Sequence, residues 1–293
     1  MNSVTEVIKG VKQPRGGFLP ISMFEVEEIG GEPIKCRDIP PVIVGKVVDS
    51  IIHLIIRTDK ELLFKTSING YEKRVEFFAR SFSYKSDYDE LYKQIIKEDD
   101  IFNIHRLIKR LDNYLRANDI YQLIICLCLI HQYDIWETDF GYISRLTTIE
   151  SSRPKYYTKG DIRKIEILYQ RTVLWIVSII DASYNNNIIF DYRFYPNGYT
   201  DKIKYGVGDF VCNNTLFDLK CTGDKPTAYH TLQILTYYVM GLNSQNKLYK
   251  NIQYLGLYSP ITNKVWRLHV SKIPINLIHE ISKEVIGYDE LHY

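Results

Sequence analysis

The chain has 293 residues, of which 45% are hydrophobic and 25% are charged, and its formal net charge is only +2 at pH 7. These are ordinary values for a soluble globular protein with one large domain or two of average size. So small a net charge cannot hold a nucleic acid by itself, and such a partner would have to bind a local basic patch. The sequence starts without a basic region followed by an apolar run, and no segment has the roughly 18 apolar residues of a membrane span. We therefore expect a cytoplasmic protein that does not contact a membrane.

Five cysteines are spread through the chain without the even number or regular spacing of a disulfide framework, which is typical of a reducing compartment. Cys126 and Cys128 precede His131, so a metal site is one interpretation of this cluster. Residues two apart on a helix point in different directions, however, and buried core thiols are the favoured interpretation.

The first part of the chain is predicted to mix strands, loops and one helix. Residues 1–40 are rich in glycine and proline, which break up long elements and leave residues 24–27 as a candidate strand. Apolar residues at helical spacing predict a helix over residues 43–57. Residues 64–82 alternate loosely around Asn69-Gly70, which predicts a β-hairpin.

Helices are predicted for the middle of the chain. Amphipathic or apolar helical patterns cover residues 91–96, 104–115 and 121–130, and we interpret them as a helical lobe. A longer helix is predicted over residues 161–180, with Asp161 as its N-cap.

The last part of the chain alternates strands with helices. The predicted elements are a strand over residues 188–194, a turn at 196–198, a hairpin about Asn213-Asn214, a helix over 227–242, strands over 252–258 and 264–270, and a helix over 275–286. This order predicts an α/β fold. The chain is divided accordingly into an N-terminal mixed region (residues 1–85), the helical lobe (86–150) and a core (151–293).

The segment of residues 206–221 has the strongest chemical pattern. Apolar residues alternate on both sides of Asn213-Asn214, and asparagine tolerates the left-handed backbone of a two-residue turn. Symmetric pairing about this turn places Asp209 opposite Asp218, with Cβ atoms roughly 4.5–5.5 Å apart. Two carboxylates so close need a compensating cation or a shared proton, and a divalent metal is the simplest solution. Lys220 lies two residues beyond Asp218 and therefore on the same face.

Further polar residues lie on the next predicted helix. Gln233 and Tyr237 are four residues apart and share one helix face, and His230 lies on the same stripe. Apolar neighbours on both sides of Asp218 predict an interior strand, where an acidic residue is costly unless it is paired or binds a metal. Taken alone, Asp218 and Lys220 would be interpreted as an exposed ion pair. Together, these features favour a functional site.

Three motifs follow one another at suitable spacing: Gly206-Val-Gly-Asp209, Asp218-Leu-Lys220 and Gln233-Ile-Leu-Thr-Tyr237. They resemble the GxxD, (D/E)xK and QxxxY motifs of the PD-(D/E)XK nuclease superfamily, in particular its RecB-like and CRISPR-adaptation branch. The resemblance covers about residues 161–270. It implies a restriction-endonuclease-like core, which is a mixed β-sheet flanked by helices, here with the helical lobe as an insertion. It also implies metal-dependent hydrolysis of DNA phosphodiester bonds.

The resemblance also assigns roles to residues of this chain. By it, Asp209 and Asp218 bind Mg²⁺ or Mn²⁺, and the Leu219 carbonyl is a further ligand. Lys220 orients or activates the attacking water and offsets charge on the phosphate. Oxygen ligands and a phosphate substrate favour these metals over zinc. The residues assigned to the catalytic site are Asp209, Asp218, Lys220, Gln233 and Tyr237, the last two of which would brace the site or contact the DNA backbone.

The family often supplies one more metal ligand from an upstream helix, and here that residue is ambiguous. Glu166 is the first choice, while Asp49 and His53 are alternatives. A solvated residue on a charged helix face explains Glu166 equally well. Some relatives bind an iron–sulfur cluster through three cysteines after the QxxxY helix. No cysteine follows Cys221, so such a cluster is not expected.

Basic and aromatic residues alternate near the start of the long predicted helix, where they could hold DNA phosphates and stack bases. A solvated face explains each of them as well. These residues are Arg153, Lys155, Tyr156, Tyr157, Lys159, Arg163, Lys164 and Arg171. The segment from Lys12 to Arg15 is a second candidate for contact with a DNA backbone, and a structural loop explains it equally well.

The sequence leaves three functions open. The leading hypothesis is a divalent-metal DNA nuclease acting in phage defence, mobile-element biology or DNA processing, contexts that come from the resemblance alone. The second is a catalytically inactive nuclease-fold protein that binds DNA or a protein partner, the latter through the helical lobe. The third is a metal-dependent hydrolase of small nucleotides.

Overall fold

A computed structural model describes residues 2–56, 59–82, 93, 102–138, 154–182, 188–221 and 223–289. The chain forms two compact units. Unit 1 comprises Met1–Ile34 and Arg171–Tyr293, and unit 2 comprises Lys35–Gln170. These units divide the chain at other positions than the three predicted regions, since the first 34 residues belong with the C-terminal part of the chain and one boundary falls inside the long helix.

The described helices are α1 (Val4–Lys9), α2 (Pro41–Ile55), α3 (Lys60–Leu63), α4 (Lys65–Phe82), α5 (Ile104–Arg116), α6 (Ile120–His131), α7 (Asp134–Thr138), α8 (Lys159–Asp181), α9 (Ala228–Asn243), α10 (Lys247–Lys250) and α11 (Ile275–Glu280). The strands are β1 (Glu25–Glu28), β2 (Ile188–Tyr192), β3 (Gly208–Cys212), β4 (Thr215–Leu219), β5 (Tyr254–Ser259) and β6 (Lys264–His269). Short 3₁₀ turns cover Ile21–Met23 and Val270–Lys272, and a π-helical segment, Ile281–Ile286, continues α11. None of the described helices is long and apolar enough to cross a membrane.

Unit 1 is an α/β unit built on a six-stranded mixed sheet with the strand order β1-β6-β5-β4-β3-β2. The predicted hairpin about Asn213-Asn214 is confirmed, because Phe210 pairs with Phe217, Val211 with Leu216 and Cys212 with Thr215. Asn213 adopts the left-handed φ of 56° that the turn requires. β4 is an interior strand, as predicted, since it pairs with β3 on one side and with β5, in parallel, on the other.

The two faces of the sheet pack against different helices. On one face, the Trp175 ring of α8 stacks on Tyr258 with centroids 3.9 Å apart and meets Phe217 edge-on. On the other face, apolar residues of β3, β4 and β5 form a buried core with α9. α9 connects β4 to β5, as a parallel strand pair requires of its crossover. The central strands are therefore covered on both sides, which explains why apolar residues of β3 and β4 point to both faces of the sheet.

The hairpin predicted around Gly70 is wrong, because residues 65–82 form the helix α4. Tyr71, Val75 and Phe78 are buried at helical spacing. A Cβ on Gly70 would lie 2.0 Å from the carbonyl oxygen of Tyr133. Glycine is present here because two segments of backbone approach closely, and not because the chain turns.

The long helix α8 begins two residues earlier than predicted. The Thr158 hydroxyl accepts a hydrogen bond from the N–H of Asp161 at 3.2 Å, so Thr158 and not Asp161 is the N-cap. The Asp161 carboxylate instead accepts bonds from the Asp38 N–H and the Lys164 ammonium. It therefore ties the start of α8 to the segment before α2.

Unit 2 contains helices α2 to α7 and the first half of α8, and the helices predicted near residues 43–57, 104–115 and 121–130 are confirmed. The helix predicted over residues 91–96 lies outside the described residues, apart from Lys93. All five cysteines lie in the described part of the chain, and none of them forms a disulfide. Cys126 and Cys128 are buried in α6, which confirms their interpretation as core thiols, and burial raises the pKa of Cys126 to about 12.

A buried polar network connects four helices of unit 2. The Asp134 carboxylate accepts hydrogen bonds from the Lys46 ammonium and the Ser67 hydroxyl, and it lies 3.1 Å from Nδ1 of His131. The other ring nitrogen of His131 lies 2.8 Å from the Ser50 hydroxyl. Ser50 lies in the middle of α2, where each main-chain N–H is bonded to the carbonyl four residues back. No N–H of this helix is therefore available beside the Ser50 hydroxyl to bind an oxyanion, as a serine nucleophile would require. We interpret the network as structural.

Replacing Gly70 tests the close approach of α4 to Tyr133. We expect Gly70→Ala to lower the free energy of unfolding by about 1–3 kcal/mol, because the added methyl overlaps main-chain atoms that cannot rotate away. Gly160→Ala is the matched control, since its Cβ would meet only the Thr158 hydroxyl at 3.8 Å. The control should be neutral or stabilising by up to about 1 kcal/mol. Urea unfolding measures both, and equal effects of the same sign would contradict the packing explanation.

The Asp134 network predicts a dependence of stability on pH. Burial alone would raise the pKa of Asp134, but His131 and Lys46 outweigh it and hold the pKa below its usual value. A depressed carboxyl pKa contributes stability above the unfolded pKa and loses it as the pH falls below about 4. Asp134→Asn should therefore lower the free energy of unfolding at pH 7 by about 1.5–3 kcal/mol. It should also flatten the loss between pH 6 and pH 3, and an unchanged pH profile would count against this role.

Candidate active site

The two aspartates of the predicted site lie where β3 and β4 end their pairing. Three residue pairs join these strands, and the pair farthest from the turn is Phe210 with Phe217. Asp209 lies one residue before Phe210, and Asp218 lies one residue after Phe217. The Asp209 carboxylate accepts a close hydrogen bond from the main-chain N–H of Leu219. This bond anchors Asp209 beside the end of β4. The alternation of side chains places both aspartates on the face of the sheet that α9 covers.

A continuous set of contacts connects Asp218 to the α9 helix. The Lys220 ammonium forms a close ion pair with Oδ2 of Asp218. The same ammonium donates to the Gln233 carbonyl oxygen at 3.0 Å, and the Gln233 amide donates to the Tyr237 hydroxyl at 3.0 Å. Residues from three separate motifs are thus brought together. Asp218, Lys220, Gln233 and Tyr237 form the set of contacts, and Asp209 is bonded to Leu219, which lies between Asp218 and Lys220.

The group is deeply buried, and its charges depend on one another. Asp218 is only 2% exposed, and burial raises its pKa while Lys220 partly offsets that rise. Burial alone would lower the pKa of Lys220, but the carboxylates of Asp218 and Asp209 outweigh it and raise the pKa. Oδ2 of Asp218 is buried, and its close contact with the Lys220 ammonium compensates its charge. A buried carboxylate requires such a cation, and in this structure Lys220 supplies it.

Tyr192 belongs to the site, although the sequence did not indicate it. Its side chain is buried, and among the described residues its hydroxyl has no hydrogen-bond partner. Burial, followed by the charge of Asp218, raises its pKa well above the usual value. A Cβ on Gly208 would lie 1.8 Å from the Tyr192 ring, so only glycine leaves room for this phenol. Asp191, inside β2, has a left-handed φ of 52°, which distorts the strand just before Tyr192 and could not be predicted from the residue pattern.

The N-terminal segment covers the same region of unit 1. Val4 donates its N–H to the Tyr205 carbonyl at 2.9 Å, and the Tyr229 hydroxyl donates to the Thr5 carbonyl at 2.9 Å. A Cβ on Gly206 would lie 2.7 Å from the Val4 side chain. The first glycine of the GVGD motif therefore permits the approach of α1.

His230, on the predicted stripe of α9, has a structural role at the start of that helix. Its Nδ1 accepts the N–H of Thr227 at 3.2 Å, which is one half of a capping box. Burial, with a smaller effect of Lys220, lowers the pKa of His230 to about 4. The imidazole is therefore neutral at pH 7.

The three candidates for an upstream ligand lie in unit 2 and have partners there. Glu166 forms an ion pair with Arg163 at 2.5 Å. Asp49 and His53 lie 3.4 Å apart as neighbours on one turn of α2. Within the described ranges, no group of three or more His, Cys, Asp or Glu side chains could hold a metal ion together. A third side-chain ligand for Asp209 and Asp218 thus stays a prediction.

The basic residues predicted to bind DNA differ in what they contact. Arg171 donates to the main-chain carbonyls of Pro260, Ile261 and Glu32, which is a structural role within unit 1. Lys164 is paired with Asp161. The side chains of Lys155 and Lys159 are exposed, and Arg153 lies outside the described residues. Lys12 and Arg15 are exposed in unit 1.

Comparison of the chain with family models, with curated proteins and with solved structures finds no match. The resemblance to nucleases therefore rests on the three sequence motifs. The contacts among their residues are an independent observation about this chain.

A double-mutant cycle tests the buried ion pair. Lys220→Met leaves the Asp218 carboxylate buried without its cation, so we expect a loss of about 3–5 kcal/mol in the free energy of unfolding without metal. Adding Asp218→Asn to Lys220→Met removes the uncompensated charge and should restore most of this loss. Chemical denaturation at pH 7 measures the cycle. A double variant no more stable than Lys220→Met would show that the pair is not coupled.

Proposed function

We propose that this protein is a divalent-metal-dependent nuclease that hydrolyses DNA phosphodiester bonds. The observation that carries the proposal is the set of contacts from Asp218 through Lys220 and Gln233 to Tyr237, with Asp209 bonded at the end of the same strand. Residues chosen by motif alone need not have been neighbours. Roles in phage defence, mobile-element biology or DNA processing are part of the proposal only through the resemblance.

We propose further that unit 1 is a restriction-endonuclease-like core. The support is its topology: an antiparallel β3–β4 hairpin is followed by α9 and by β5 parallel to β4. The site lies at the end of β4 on the face that α9 covers. This is the combination of sheet and helices that the resemblance implies, and it brings the (D/E)xK strand beside the QxxxY helix.

The residues present fit a Mg²⁺ or Mn²⁺ ion. Asp209 and Asp218 supply carboxylate oxygens, and the Leu219 carbonyl would be a third oxygen ligand, which suits a hard divalent cation. A cation bound at Asp218 would take over from the Lys220 ammonium the compensation of this buried charge. When bound, such an ion polarises a phosphoryl oxygen and makes a water molecule more acidic.

The protein's own groups would act on the phosphate as follows. Lys220 stays charged at neutral pH because the two carboxylates raise its pKa. Once released from Asp218, its ammonium can stabilise the negative charge that develops on the phosphate oxygens. Gln233 restrains that ammonium through its carbonyl oxygen, and its amide group restrains the Tyr237 hydroxyl. The two α9 residues thus position donors before the substrate arrives.

One observation favours the alternative, a catalytically inactive nuclease-fold protein that binds DNA or a protein partner. Asp218 is almost fully buried, and the Lys220 side chain is only 14% exposed and already paired with it. A closed ion pair of this kind can be purely structural. A nuclease requires that a cation and a phosphate can separate Lys220 from Asp218, whereas a binding module does not.

Cleavage assays separate these functions. Purified protein is incubated with linear and circular, single- and double-stranded DNA in the presence of Mg²⁺ or Mn²⁺. We expect cleavage by the wild type and a fall of at least about 100-fold in rate for Asp209→Asn, Asp218→Asn and Lys220→Met. Lys264→Met is the matched control, since Lys264 pairs with Glu28 on β1 at the edge of the sheet. Its rate should match the wild type.

The other outcomes are equally informative. If Lys220→Met is folded and cleaves DNA at the wild-type rate, the nuclease proposal is wrong. Binding of DNA without cleavage under every condition would favour the inactive binding module. Turnover of mononucleotides without cleavage of polymers would identify a hydrolase of small nucleotides.

A further inference from the structure

Tyr192 has a buried hydroxyl that the fold does not use. The residue is 2% exposed, and no donor or acceptor in the described part of the chain pairs with its oxygen. Buried polar groups are normally hydrogen-bonded, so an orphaned hydroxyl calls for a physical explanation. A phenylalanine would fill the same space without this penalty.

The surroundings of Tyr192 indicate what its hydroxyl is for. After burial, the groups that raise its pKa are Asp218, Tyr237, Asp209 and Tyr249, and the first three of them belong to the candidate site. The phenol stays protonated at neutral pH and is therefore a hydrogen-bond donor. Its ring meets that of Tyr237 edge-on, with centroids 6.1 Å apart. The hydroxyl without a partner thus lies in the same region of unit 1 as Tyr237 and Gly208, the residue before Asp209.

The Asp218 carboxylate is an acceptor in the same group. Its Oδ2 is buried and is in close contact with the Lys220 ammonium. A hydrogen bond to a charged carboxylate is among the stronger ones in proteins. Gly208 provides the space for the phenol, since a Cβ there would lie 2.1 Å from the Tyr192 hydroxyl. In the structure Lys220 pairs with the Asp218 carboxylate, and the Tyr192 hydroxyl has no partner among the described residues.

We propose that Tyr192 is a positioning residue of the cation site, whose hydroxyl donates to the Asp218 carboxylate when a divalent cation replaces Lys220 there. The hydroxyl then orients that carboxylate toward the ion. This inference rests on the proposed function, because the cation belongs to it. The hydroxyl has no partner among the described residues, so its removal should affect binding of the ion and not folding.

The test makes two measurements on each variant. The first is the Tm of the metal-free protein, and the second is the affinity for Mn²⁺, obtained from the electron paramagnetic resonance signal of free Mn²⁺. For Tyr192→Phe we expect a Tm equal to or above that of the wild type, and Mn²⁺ binding weakened about tenfold or more. Tyr249→Phe is the matched control, because the Tyr249 hydroxyl donates to the Arg193 carbonyl at 2.6 Å and its ring lies 6.2 Å from that of Tyr192. This control should lower the Tm and leave Mn²⁺ affinity unchanged. Asp218→Asn should abolish binding.

Each remaining outcome overturns a defined part of the inference. If the wild type does not bind Mn²⁺, both the proposed function and the role of Tyr192 are wrong. If the wild type binds, Asp218→Asn does not and Tyr192→Phe binds as the wild type does, only the role of Tyr192 is wrong. If Tyr192→Phe lowers the Tm as much as Tyr249→Phe, the hydroxyl has a structural partner in the metal-free protein, and the inference fails.

Discussion

The ion pair between Asp218 and Lys220, at the end of the interior strand β4, is the constraint on which the rest of unit 1 depends. Neither charge could stay ionised in this position alone, because burial disfavours the charged form of each. Lys220 must therefore remain within reach of both Asp218 and Gln233, which fixes how α9 lies over β4. The apolar residues on the same face then seal the pair from water, and the seal increases the cost of any rearrangement.

Local signals determined much of unit 1. The register of β3 and β4 follows from an Asn-Asn turn between alternating apolar residues, and the helix predicted over residues 227–242 is α9. The same rule failed at Asn69-Gly70. The reason for Gly70 is a carbonyl 63 residues further along the chain, at Tyr133, and no local pattern contains that information. A glycine required by close packing and a glycine required by a turn look the same in a sequence.

Some residues of the candidate site could likewise be predicted from the local sequence, whereas others depend on distant parts of the chain. Asp209, Asp218 and Lys220 share one hairpin, so their meeting could be predicted from strand period alone. Tyr192 could not be found, because its direction depends on the left-handed backbone of Asp191 and on the empty space above Gly208. The upstream ligand of the metal stays a prediction for a related reason, since it depends on how separate segments of the chain are arranged.

The position of α1 has a consequence for how the protein is made. Residues 2–5 bond to residues 204, 205 and 229, so contacts about 200 residues apart in sequence close the same face of unit 1. The first segment leaves the ribosome long before the strands that it covers, and unit 2 is synthesised between them. Contacts of such long sequence separation form slowly and late. Unit 2 can complete its own helices during synthesis, whereas the carboxylate site can be assembled only after nearly the whole chain has been released.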